Sequence, residues 1–367
     1  MKKGIVNTAV FLGILVLGLV FFLILPKKST DDIERRALAN APSFSVSGVL
    51  SGKFFDGVDD YISDHFPLRA AFVCANGYIK AALGNISENG VYQTTDGHLV
   101  LSPSVPDKSA LSENINDIKS FIKQAGVKAQ ILPVPEAGYI MSDKIKGFHA
   151  PYDDSVYNAL SQCAQVIDVR KALENVQNPY FKTDHHWTTP GAYAAYGEFC
   201  KANRLSVRSR EDYKKSTISG FRGTTWAKSG LLLKSGEEIE LWDNQNKVTV
   251  TRSTTAANEQ ATKINSCFDL SFADSADKYS VFLGGNYGKV KIKSEKKGPK
   301  LLIIKDSFAN SFAPFLTDHY SEIYMIDLRY YRNCDIAQMV KENNIDGILF
   351  MLSAEKFSQN GDFAFLK

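Results

Sequence analysis

The pattern of apolar positions changes several times along the chain, and each change predicts a different kind of element. From Ile5 to Leu25 the sequence is apolar for 21 residues without a charged side chain. At about 1.5 Å per residue, a helix of this length spans the roughly 30 Å hydrocarbon core of a bilayer. Lys2 and Lys3 precede the run, and Lys27 and Lys28 follow it. The pattern therefore predicts a single N-terminal transmembrane helix.

A secretory signal peptide is the alternative for this run. Its apolar region usually has about 7–15 residues and is followed closely by a small-x-small cleavage site. Here the run is longer, and the nearest such triplet, Ala37–Ala39, lies beyond a charged stretch that begins at Asp31. We therefore expect an uncleaved anchor. Lysines on both sides leave its orientation open, because positive residues normally concentrate on the cytoplasmic side.

After the anchor, a charged and loop-like stretch is typical of a juxtamembrane linker. Helical periodicity follows at 53–63 and 69–83, and Asp96-Gly97 between short apolar runs predicts a two-residue hairpin turn. Short apolar strands then alternate with amphipathic helices. The predicted strands are 129–135, 165–169, 300–305, 322–328 and 347–353, and the predicted helices are 111–124, 154–164, 191–202, 311–318 and 335–343.

This alternation predicts a doubly wound α/β fold, with three α/β/α layers and a mostly parallel sheet. Residues 205–280 differ, because they are richer in Thr, Ser, Lys and Gly and contain short alternating runs. That composition predicts a β-rich insertion into the α/β pattern.

Charge and cysteine content exclude several classes of protein. The net charge is +3, and four lysines precede residue 29, so the rest of the chain is nearly neutral. Without a basic stripe, we expect no nucleic-acid partner. The five cysteines are scattered and form no CxxC pair, which fits neither a disulfide framework nor a zinc site. We interpret them as buried small hydrophobic residues: Cys74, Cys163, Cys200, Cys267 and Cys334.

One strand end carries a candidate nucleophile. The strand at 300–305 leads into Lys305-Asp306-Ser307, and small and apolar residues then begin a helix. A serine in such a turn exposes its hydroxyl, and the N-terminus of the next helix favours a developing oxyanion. Serine is also a preferred N-cap residue. Taken alone, Ser307 is therefore better explained as a helix cap.

The segment T-D-H-H-W at 183–187 supplies a base for that serine. Serine is a poor nucleophile until a base takes its proton, and a histidine base needs a carboxylate to hold its tautomer. Asp184 and His186 are two residues apart, so in an extended segment their side chains share one face. We assign His186 as the base and Asp184 as the orienting group. His185 is the second choice and should point the other way, while Trp187 should cover the site or offer a platform to a sugar ring.

A metal site is the competing interpretation of Asp184, His185 and His186, because similar runs occur in metal-dependent phosphoesterases. Such sites need further clusters of ligands. The other histidines are isolated: His65, His98, His149 and His319. We therefore expect neither a metal nor another cofactor.

The motif T-D-H-H-W-T at 183–188 resembles the signature of bacterial DHHW-family proteins, which are related to the alginate O-acetylation proteins AlgJ and AlgX. Other segments resemble the family too, including E-R-R-A-L-A-N-A-P-S-F-S, Y-I-S-D-H-F-P-L-R, F-R-G-T-T, F-L-G-G-N-Y-G, K-D-S-F-A-N-S and I-D-L-R-Y-Y. The resemblance implies an SGNH-hydrolase-like fold with its catalytic Asp, His and Ser at Asp184, His186 and Ser307. It also implies acyl transfer to, or deacylation of, a cell-envelope polysaccharide, often with a membrane-bound O-acyltransferase that supplies the acyl group.

The resemblance extends to residues that would contact the substrate. Gly285 and Asn286 match, by residue type, the glycine and asparagine with which SGNH enzymes bind the oxyanion. A hairpin turn explains the same two residues equally well. Arg329 is a candidate for substrate or oxyanion contact, with a surface ion pair as an equal alternative.

We therefore expect an anchor at 1–28, a linker and helical region at 29–95, and an SGNH-like catalytic domain at 96–367 that carries the insertion. The expected function is a membrane-anchored, serine-dependent O-acyltransferase, with acetyl as the acyl group, facing outward and acting on a cell-envelope polysaccharide or exopolysaccharide. An O-acetyl esterase would use the same residues with water as the acceptor. A non-catalytic accessory protein of a polysaccharide assembly is the alternative from another class.

Overall fold

A computed structural model describes residues 2–31, 33, 36–84, 87–145, 154–254, 261–332, 334–359 and 361–366. His149 lies outside these residues. The chain forms two compact units. The first unit consists of residues 1–89 and 226–234, and the second consists of residues 90–225 and 235–367.

The first unit begins with the predicted apolar helix, α1 (Lys2–Ile24). Its segment Gly4–Ile24 is long and apolar enough to cross a membrane, a property that a signal sequence shares. The helices expected at 53–63 and 69–83 are present as α3 and α4. The remaining elements of the unit are β1 (Thr30–Asp31), β2 (Arg36–Ala37), α2 (Val46–Leu50), α3 (Lys53–His65), α4 (Arg69–Ala82) and β3 (Ser87–Glu88).

Many large apolar side chains of this unit are exposed. Beyond α1 they are Leu25, Phe44, Val46, Leu50, Phe55, Ile62, Phe66, Leu68, Phe72, Tyr78, Ile79, Leu83 and Leu233. The ring of Phe22, in the last turn of α1, packs edge-on against Tyr61 of α3 with centroids 6.0 Å apart. An exposed apolar surface of this extent is typical of a face that contacts a membrane or another protein.

A large mixed sheet forms the centre of the second unit. The strands of this unit are β4 (Val91–Gln93), β5 (Leu99–Leu101), β6 (Lys128–Val134), β7 (Gln165–Val166), β8 (Lys214–Phe221), β9 (Glu237–Asp243), β10 (Val248–Ser253), β11 (Thr262–Ile264), β12 (Lys289–Ser294), β13 (Lys300–Lys305), β14 (Glu322–Ile326) and β15 (Gly347–Ser353). Eight of them form one sheet in the order β11-β10-β12-β14-β13-β15-β6-β7. From β14 to β7 the strands are parallel, and β12, β10 and β11 extend the sheet antiparallel. The predicted α/β class with a mostly parallel sheet is confirmed.

Helices cover both faces of this sheet. They are α5 (Lys108–Ala125), α6 (Ala137–Ile140), α7 (Ser155–Ser161), α8 (Arg170–Glu174), α9 (Thr189–Asn203), α11 (Phe308–Leu316) and α12 (Ile336–Glu342). Helix α10 (Thr224–Ser229) begins in the second unit, and its residues from Trp226 onward belong to the first. Leu302 and Ile304 of β13 belong to the core cluster with α5 and α12. Because side chains alternate along a strand, Ile303 and Lys305 face the opposite layer, where α11 packs. Lys305 is thereby directed into the protein beneath the start of α11.

Local sequence explains why α5 begins and ends where it does. The side chain of Asp107 accepts hydrogen bonds from the N–H groups of Ser109 and Ala110, which caps the first turn. Apolar residues at helical spacing, among them Ile118 and Phe121, then bury one face in the core. Gly126 adopts a left-handed conformation at φ 69° and stops the helix.

The structure alters several predicted elements. The turn between β4 and β5 has three residues rather than two, because the Thr94 N–H donates to the His98 carbonyl and Gly97 takes φ 89°. Residues 165–169 contribute only the two-residue strand β7. Within 205–280, β8 and β9 form a separate hairpin, but β10 and β11 join the main sheet. Helix α11 begins at Phe308, three residues earlier than predicted.

The cysteines are all free thiols. Cys200 and Cys267 are buried, as expected. The expectation is wrong for the remaining three, which are only partly buried: Cys74, Cys163 and Cys334.

Candidate active site

Ser307 lies in the turn between β13 and α11, at the edge where the parallel strands end. The adjacent Asp306 is buried and accepts hydrogen bonds from the N–H groups of Phe308 at 3.0 Å and Ser353 at 2.7 Å. Burial raises the pKa of Asp306 in spite of these bonds. The side chain of Ser307 makes no capping bond to its own helix. The helix-cap explanation of this serine is therefore wrong.

The side chains of Ser307, His186 and Asp184 form one hydrogen-bonded chain. Nε2 of His186 lies 2.6 Å from Oγ of Ser307, and Nδ1 lies 2.5 Å from Oδ1 of Asp184. His186 is 6% exposed and Asp184 is 2% exposed. The structure thus brings together the three residues to which the sequence assigns a nucleophile, a base and an orienting carboxylate.

Four hydrogen bonds fix Asp184. Oδ1 accepts from the backbone N–H of His186 at 3.0 Å as well as from the imidazole, and Oδ2 accepts from the N–H and the hydroxyl of Thr224 at 2.7 and 3.1 Å. Burial would raise the pKa of Asp184, but the charges of His186 and His185 and these hydrogen bonds outweigh it and hold the pKa well below its usual range. Asp184 is therefore an anion beside the imidazole.

Gly223 and Thr224 belong to this arrangement, although the sequence assigns them no role. A Cβ atom on Gly223 would lie 2.1 Å from Cβ of Asp184, so only glycine allows the chain to pass this closely. Thr224 is 40 positions from Asp184 in the sequence. The motif F-R-G-T-T, which contains both residues, is the signal that could have pointed to them.

Aromatic rings enclose the imidazole of His186. The ring of Tyr279 stacks on it at 3.8 Å with an interplanar angle of 9°, and Phe308 contacts its edge at 5.1 Å. The Tyr279 hydroxyl donates to the carbonyl of Ser307 at 3.2 Å. Burial raises the pKa of Tyr279 well above its ordinary value, so this hydroxyl keeps its proton. No sequence pattern singles out Tyr279.

His185 does not point away from the site as predicted. Its ring lies 3.9 Å from that of His186, because the segment bends instead of running extended. Nδ1 of His185 lies 2.7 Å from Oγ1 of Thr224. Since the Thr224 hydroxyl donates to Asp184, it accepts this bond from the His185 N–H. His185 thus supports the carboxylate through Thr224.

Trp187 packs behind the serine turn. It is fully buried, and its indole N–H donates to the Phe308 carbonyl at 3.2 Å and to the Ser311 hydroxyl at 2.9 Å. A ring that offers a face to a sugar must be accessible. The expectation of a sugar platform at Trp187 is therefore wrong.

Of the two residues proposed as oxyanion donors, one already uses its backbone N–H in another hydrogen bond. The N–H of Gly285 donates to the carbonyl of Phe282 at 3.2 Å, as in the hairpin-like alternative. The assignment of Gly285 as an oxyanion donor is therefore wrong. Asn286 is exposed. Its Oδ1 accepts hydrogen bonds from Lys305 and Asn310, both at 3.2 Å, and among the described residues its Nδ2 has no acceptor.

Arg329 forms the ion pair that the sequence allows as an alternative. Its Nε and Nη2 donate to Oδ1 and Oδ2 of Asp327 at 2.8 and 2.6 Å. Asp327 is 1% exposed, so the pair is partly buried rather than a surface pair. The structure brings Arg329 into the same network as Lys305, whose Nζ lies 3.7 Å from Oδ2 of Asp327.

Three potential metal ligands also meet at this site. Within the described part of the chain, Asp184, His185 and His186 form the single group of this kind, and their ligand atoms lie within 4.8 Å of one another. Both oxygens of Asp184 already accept two hydrogen bonds each. A metal ion bound here would displace the donors that fix this carboxylate.

The geometry defines a class of protein: a mixed α/β protein with a Ser-His-Asp chain at the carboxyl edge of a mostly parallel sheet. Within that class, the chain belongs to the DHHW family. The family model described as DHHW protein matches residues 34–130 and 152–326, more than half of the chain. No curated protein matches the chain.

Solved structures share the fold. A DHHW family protein from Eubacterium siraeum has a TM-score of 0.66 and 28% sequence identity, and the alignment covers 76% of this chain and 95% of that chain. Bacillus cereus PatB1 with a sulfonyl adduct has a TM-score of 0.62 and 22% identity, with 76% and 98% covered. The O-acetyltransferase domain of Pseudomonas putida AlgJ is more distant, with a TM-score of 0.46 and 12% identity over 75% and 94%.

Proposed function

We propose that this DHHW-family protein is a serine-dependent O-acyltransferase that moves an acetyl group onto a cell-envelope polysaccharide or exopolysaccharide. The observation that carries the proposal is the unbroken chain from Asp184 Oδ1 through His186 to Ser307 Oγ, with distances of 2.5 and 2.6 Å. A buried, oriented imidazole within hydrogen-bonding distance of a serine is the arrangement that activates a hydroxyl for acyl transfer. The choice of polysaccharide rests on the family resemblance.

The reaction would proceed through an acyl-enzyme. Oγ of Ser307 attacks the carbonyl carbon of the donor while its proton passes to Nε2 of His186, and the anion of Asp184 stabilises the imidazolium. The leaving group takes the proton, and the acyl group stays on Ser307. A sugar hydroxyl then gives its proton to His186 and attacks the acyl carbon, after which the proton returns to Oγ.

The oxyanion of each tetrahedral intermediate needs hydrogen-bond donors. Among the described residues, the backbone N–H of Ser307 has no acceptor, and it lies at the start of the nine-residue helix α11. The amide Nδ2 of Asn286 is the second donor that we propose. In this proposal the Ser307 N–H takes the place of Gly285, and Asn286 keeps the role that the family resemblance implies.

We also propose that α1 anchors the protein in a membrane, with the second unit outside the cytoplasm. The exposed apolar side chains of α2, α3 and α4 support a membrane-proximal role for the first unit. The partner that we propose is a membrane-bound O-acyltransferase, which would deliver the acyl group to Ser307.

The test uses the full chain in lipid nanodiscs and a chromogenic acetyl ester. We expect hydrolysis that persists with a chelator and falls to the background rate in Ser307→Ala and His186→Ala. Ser219→Ala, at an exposed serine of β8, is the matched control and should keep full activity. If the chelator abolishes the activity of the wild type, the metal-dependent alternative is favoured. Hydrolysis unaffected by Ser307→Ala would disprove the proposal.

Transfer and hydrolysis are separated by a second measurement. Oligosaccharide acceptors are added with the ester, and acetylated products are followed by mass spectrometry. Acetylated sugar that depends on Ser307 supports the transferase. Free acetate alone supports the O-acetyl esterase, whereas a folded protein without any turnover, even with the membrane partner present, supports the accessory role.

A further inference from the structure

Lys305 is a buried lysine directly beneath the serine turn. Its side chain is fully buried, and Nζ donates to Oδ1 of Asn310 at 2.8 Å and to Oδ1 of Asn286 at 3.2 Å. Burial lowers the pKa of Lys305 to about 8, while the charge of Asp327 opposes that shift. The contacts of Nζ are to three oxygen atoms, of Asn310, Asn286 and Asp327, which is the environment of an ammonium group with its three N–H donors. A buried lysine is costly, and the ion pair with Asp327 does not by itself explain why it contacts two amides.

The ammonium group determines how both amides are oriented. Lysine can only donate hydrogen bonds, whereas an asparagine amide accepts at oxygen and donates at nitrogen. The oxygens of Asn310 and Asn286 must therefore face Lys305. The Nδ2 of Asn310 then donates to the Gly285 carbonyl at 3.3 Å and to Oδ1 of Asn286 at 3.2 Å. As a result, Nδ2 of Asn286 is the end of the amide that faces away from the buried cluster.

These contacts connect Asn286 to the serine turn through Asn310. Asn310 lies in the first turn of α11, and its backbone N–H donates to the Ser307 carbonyl at 3.2 Å. The G-G-N turn follows a fixed course, since Gly284 and Gly285 have φ values of 80° and 96°. A Cβ on Gly284 would lie 1.8 Å from Nη1 of Arg252, so the turn passes close to this arginine only because residue 284 is glycine.

We propose that Lys305 is a positioning residue for acyl transfer: it locks the Asn286 amide so that Nδ2, and not the oxygen, faces the acyl oxygen on Ser307. This inference rests on the proposed function. Without Lys305 the amide of Asn286 can flip, and a flipped amide presents an acceptor that repels the oxyanion. The residue acts through Asn286 and has no contact with substrate of its own.

A double-mutant cycle on the full chain in nanodiscs tests this role. Loss of one oxyanion donor costs about 10²-fold or more in kcat, so we expect that loss in Asn286→Ala, with KM changed little. Lys305→Met should lower kcat at least about tenfold and should cause no further loss in the Asn286→Ala background. Losses that multiply in the double variant would overturn the proposal, because Lys305 would then act independently of Asn286. Lys293→Met, at an exposed lysine of β12, is the matched control and should have no effect.

Two further variants keep the proposal testable if Lys305→Met does not fold. Asn286→Asp keeps an acceptor toward Lys305 but has no amide donor, so it should be as slow as Asn286→Ala. Asn310→Ala removes one of the two groups that orient Asn286. Since this is the loss of one hydrogen bond, kcat should fall about three- to tenfold. The same substitution should cause no further fall in kcat when Asn286 is already alanine. A fully active Asn286→Asp, or a loss in Asn310→Ala that persists without Asn286, would disprove the positioning network.

Failure of this inference looks different from failure of the proposed function. If Ser307→Ala hydrolyses the ester as fast as the wild type, the proposed function fails and the positioning role fails with it. If turnover depends on Ser307 but is unchanged in Lys305→Met, only the positioning role fails. The wild type and Lys305→Met can also be compared without turnover. The measurement is the rate at which a sulfonyl fluoride modifies Ser307, followed by the mass of the intact protein.

Discussion

Two polar clusters adjoin the serine turn: one is built on the buried anion of Asp184, and the other on the buried ion pair of Lys305 with Asp327. In the first cluster, Asp184 is an anion that contacts His186 and Thr224. In the second cluster, Lys305 is a buried cation that contacts two asparagine oxygens. Acyl transfer develops positive charge on the imidazole and negative charge on the acyl oxygen in the same step. Under the proposed function, the Asp184 cluster would stabilise the positive charge on His186, and the Lys305 cluster would orient the Asn286 donor toward the negative charge.

The two clusters are also built differently. The base side has a local centre, because Asp184 and His186 are two residues apart, and Thr224 and Tyr279 join it from distant segments. The Lys305 side combines β13, α11, the G-G-N turn and Asp327 after β14. A local cluster leaves a sequence motif, whereas an assembled cluster does not. The predictions below change one side at a time.

The largest effect is expected from Asp184→Asn. Asparagine keeps the shape but donates a hydrogen bond where the carboxylate accepts one, so His186 is held in the wrong tautomer and its cation is not stabilised. By comparison with serine proteases, kcat for the ester should fall about 10³–10⁴-fold. Asp335→Asn is the matched control, because Asp335 is an exposed helix cap and asparagine caps equally well. A loss below tenfold would show that the base side does not depend on the anion.

The same variant predicts a change in acid stability. The pKa of Asp184 in the folded protein lies below its unfolded value of about 4, so its contribution to stability is present above that pH and is lost as the pH falls. Unfolding by urea between pH 3 and 7 should show a steeper acid loss in the wild type than in Asp184→Asn. Parallel curves would contradict the assignment of a lowered pKa.

Gly223→Ala should have the next largest effect. The new Cβ would lie 2.1 Å from Cβ of Asp184 and 2.2 Å from Oδ2, so either the carboxylate or the F-R-G-T-T segment has to move. We expect the free energy of unfolding to fall by about 1–3 kcal/mol and kcat to fall about 10²-fold. Gly197→Ala is the control, because no atom lies within 4 Å of a Cβ at that helical position. It should leave activity unchanged and raise stability slightly.

Thr224→Val should have a smaller effect on the same carboxylate. Valine removes the hydroxyl at 3.1 Å and keeps the backbone N–H at 2.7 Å from Oδ2 of Asp184. Loss of one hydrogen bond to a charged group is worth about 1.5 kcal/mol, which corresponds to about a tenfold fall in kcat. Thr224→Ser retains the hydroxyl and should restore most of the activity. Equal losses in the valine and serine variants would show that packing, not the hydrogen bond, is what matters.

The sequence alone predicts a large part of this structure. The strands at 300–305 and 347–353 have the bounds that their apolar runs indicate, because strands buried on both faces leave continuous hydrophobic sequence. Asp184, His186 and Ser307 are also predictable, since the chemistry requires these residue types and two of them are adjacent in the motif. The position of Ser307 at a strand end then places it at the carboxyl edge of the sheet.

Other parts of the site depend on contacts that no local pattern records. Lys305 ends an apolar strand and looks like an ordinary exposed lysine, but alternation along β13 directs it inward. Tyr279 and Thr224 reach the site from segments far away in the sequence, a 3-10 helix and the start of α10. The surface role predicted for Trp187 is wrong because its indole N–H donates to buried partners in α11, which its own segment does not reveal. Such residues are fixed by tertiary packing and not by their own segment.

The smallest effect on activity is expected at Glu136, a half-buried residue whose pKa shifts in the opposite direction to that of Asp184. Burial raises the pKa of Glu136 to about 7, and the charges of Glu355 and Asp306 add to the shift. A hydrogen bond of 2.6 Å from the Glu355 N–H acts in the opposite direction. Burial raises the pKa of both groups, so the opposite directions of the two shifts come from their neighbours. Asp184 has histidines and four donors, whereas Glu136 faces two other carboxyls.

Because its pKa is raised, Glu136 lowers the free energy of unfolding at neutral pH. Between about pH 4.5 and 7 the folded state holds a proton that the unfolded state releases, so stability falls as pH rises through this range and the full cost remains above pH 7. Glu136→Gln keeps an acceptor for Glu355 and cannot ionise. It should be more stable than the wild type at pH 8 by about 1–3 kcal/mol, should lose that advantage at pH 4.5, and should keep kcat within about twofold. Urea unfolding at the two pH values measures this, with the exposed Glu174→Gln as a control that should change stability by less than about 0.5 kcal/mol. A Glu136→Gln protein that is less stable at pH 8 would mean that an ionised Glu136 has a stabilising partner, and the contrast with Asp184 would then be lost.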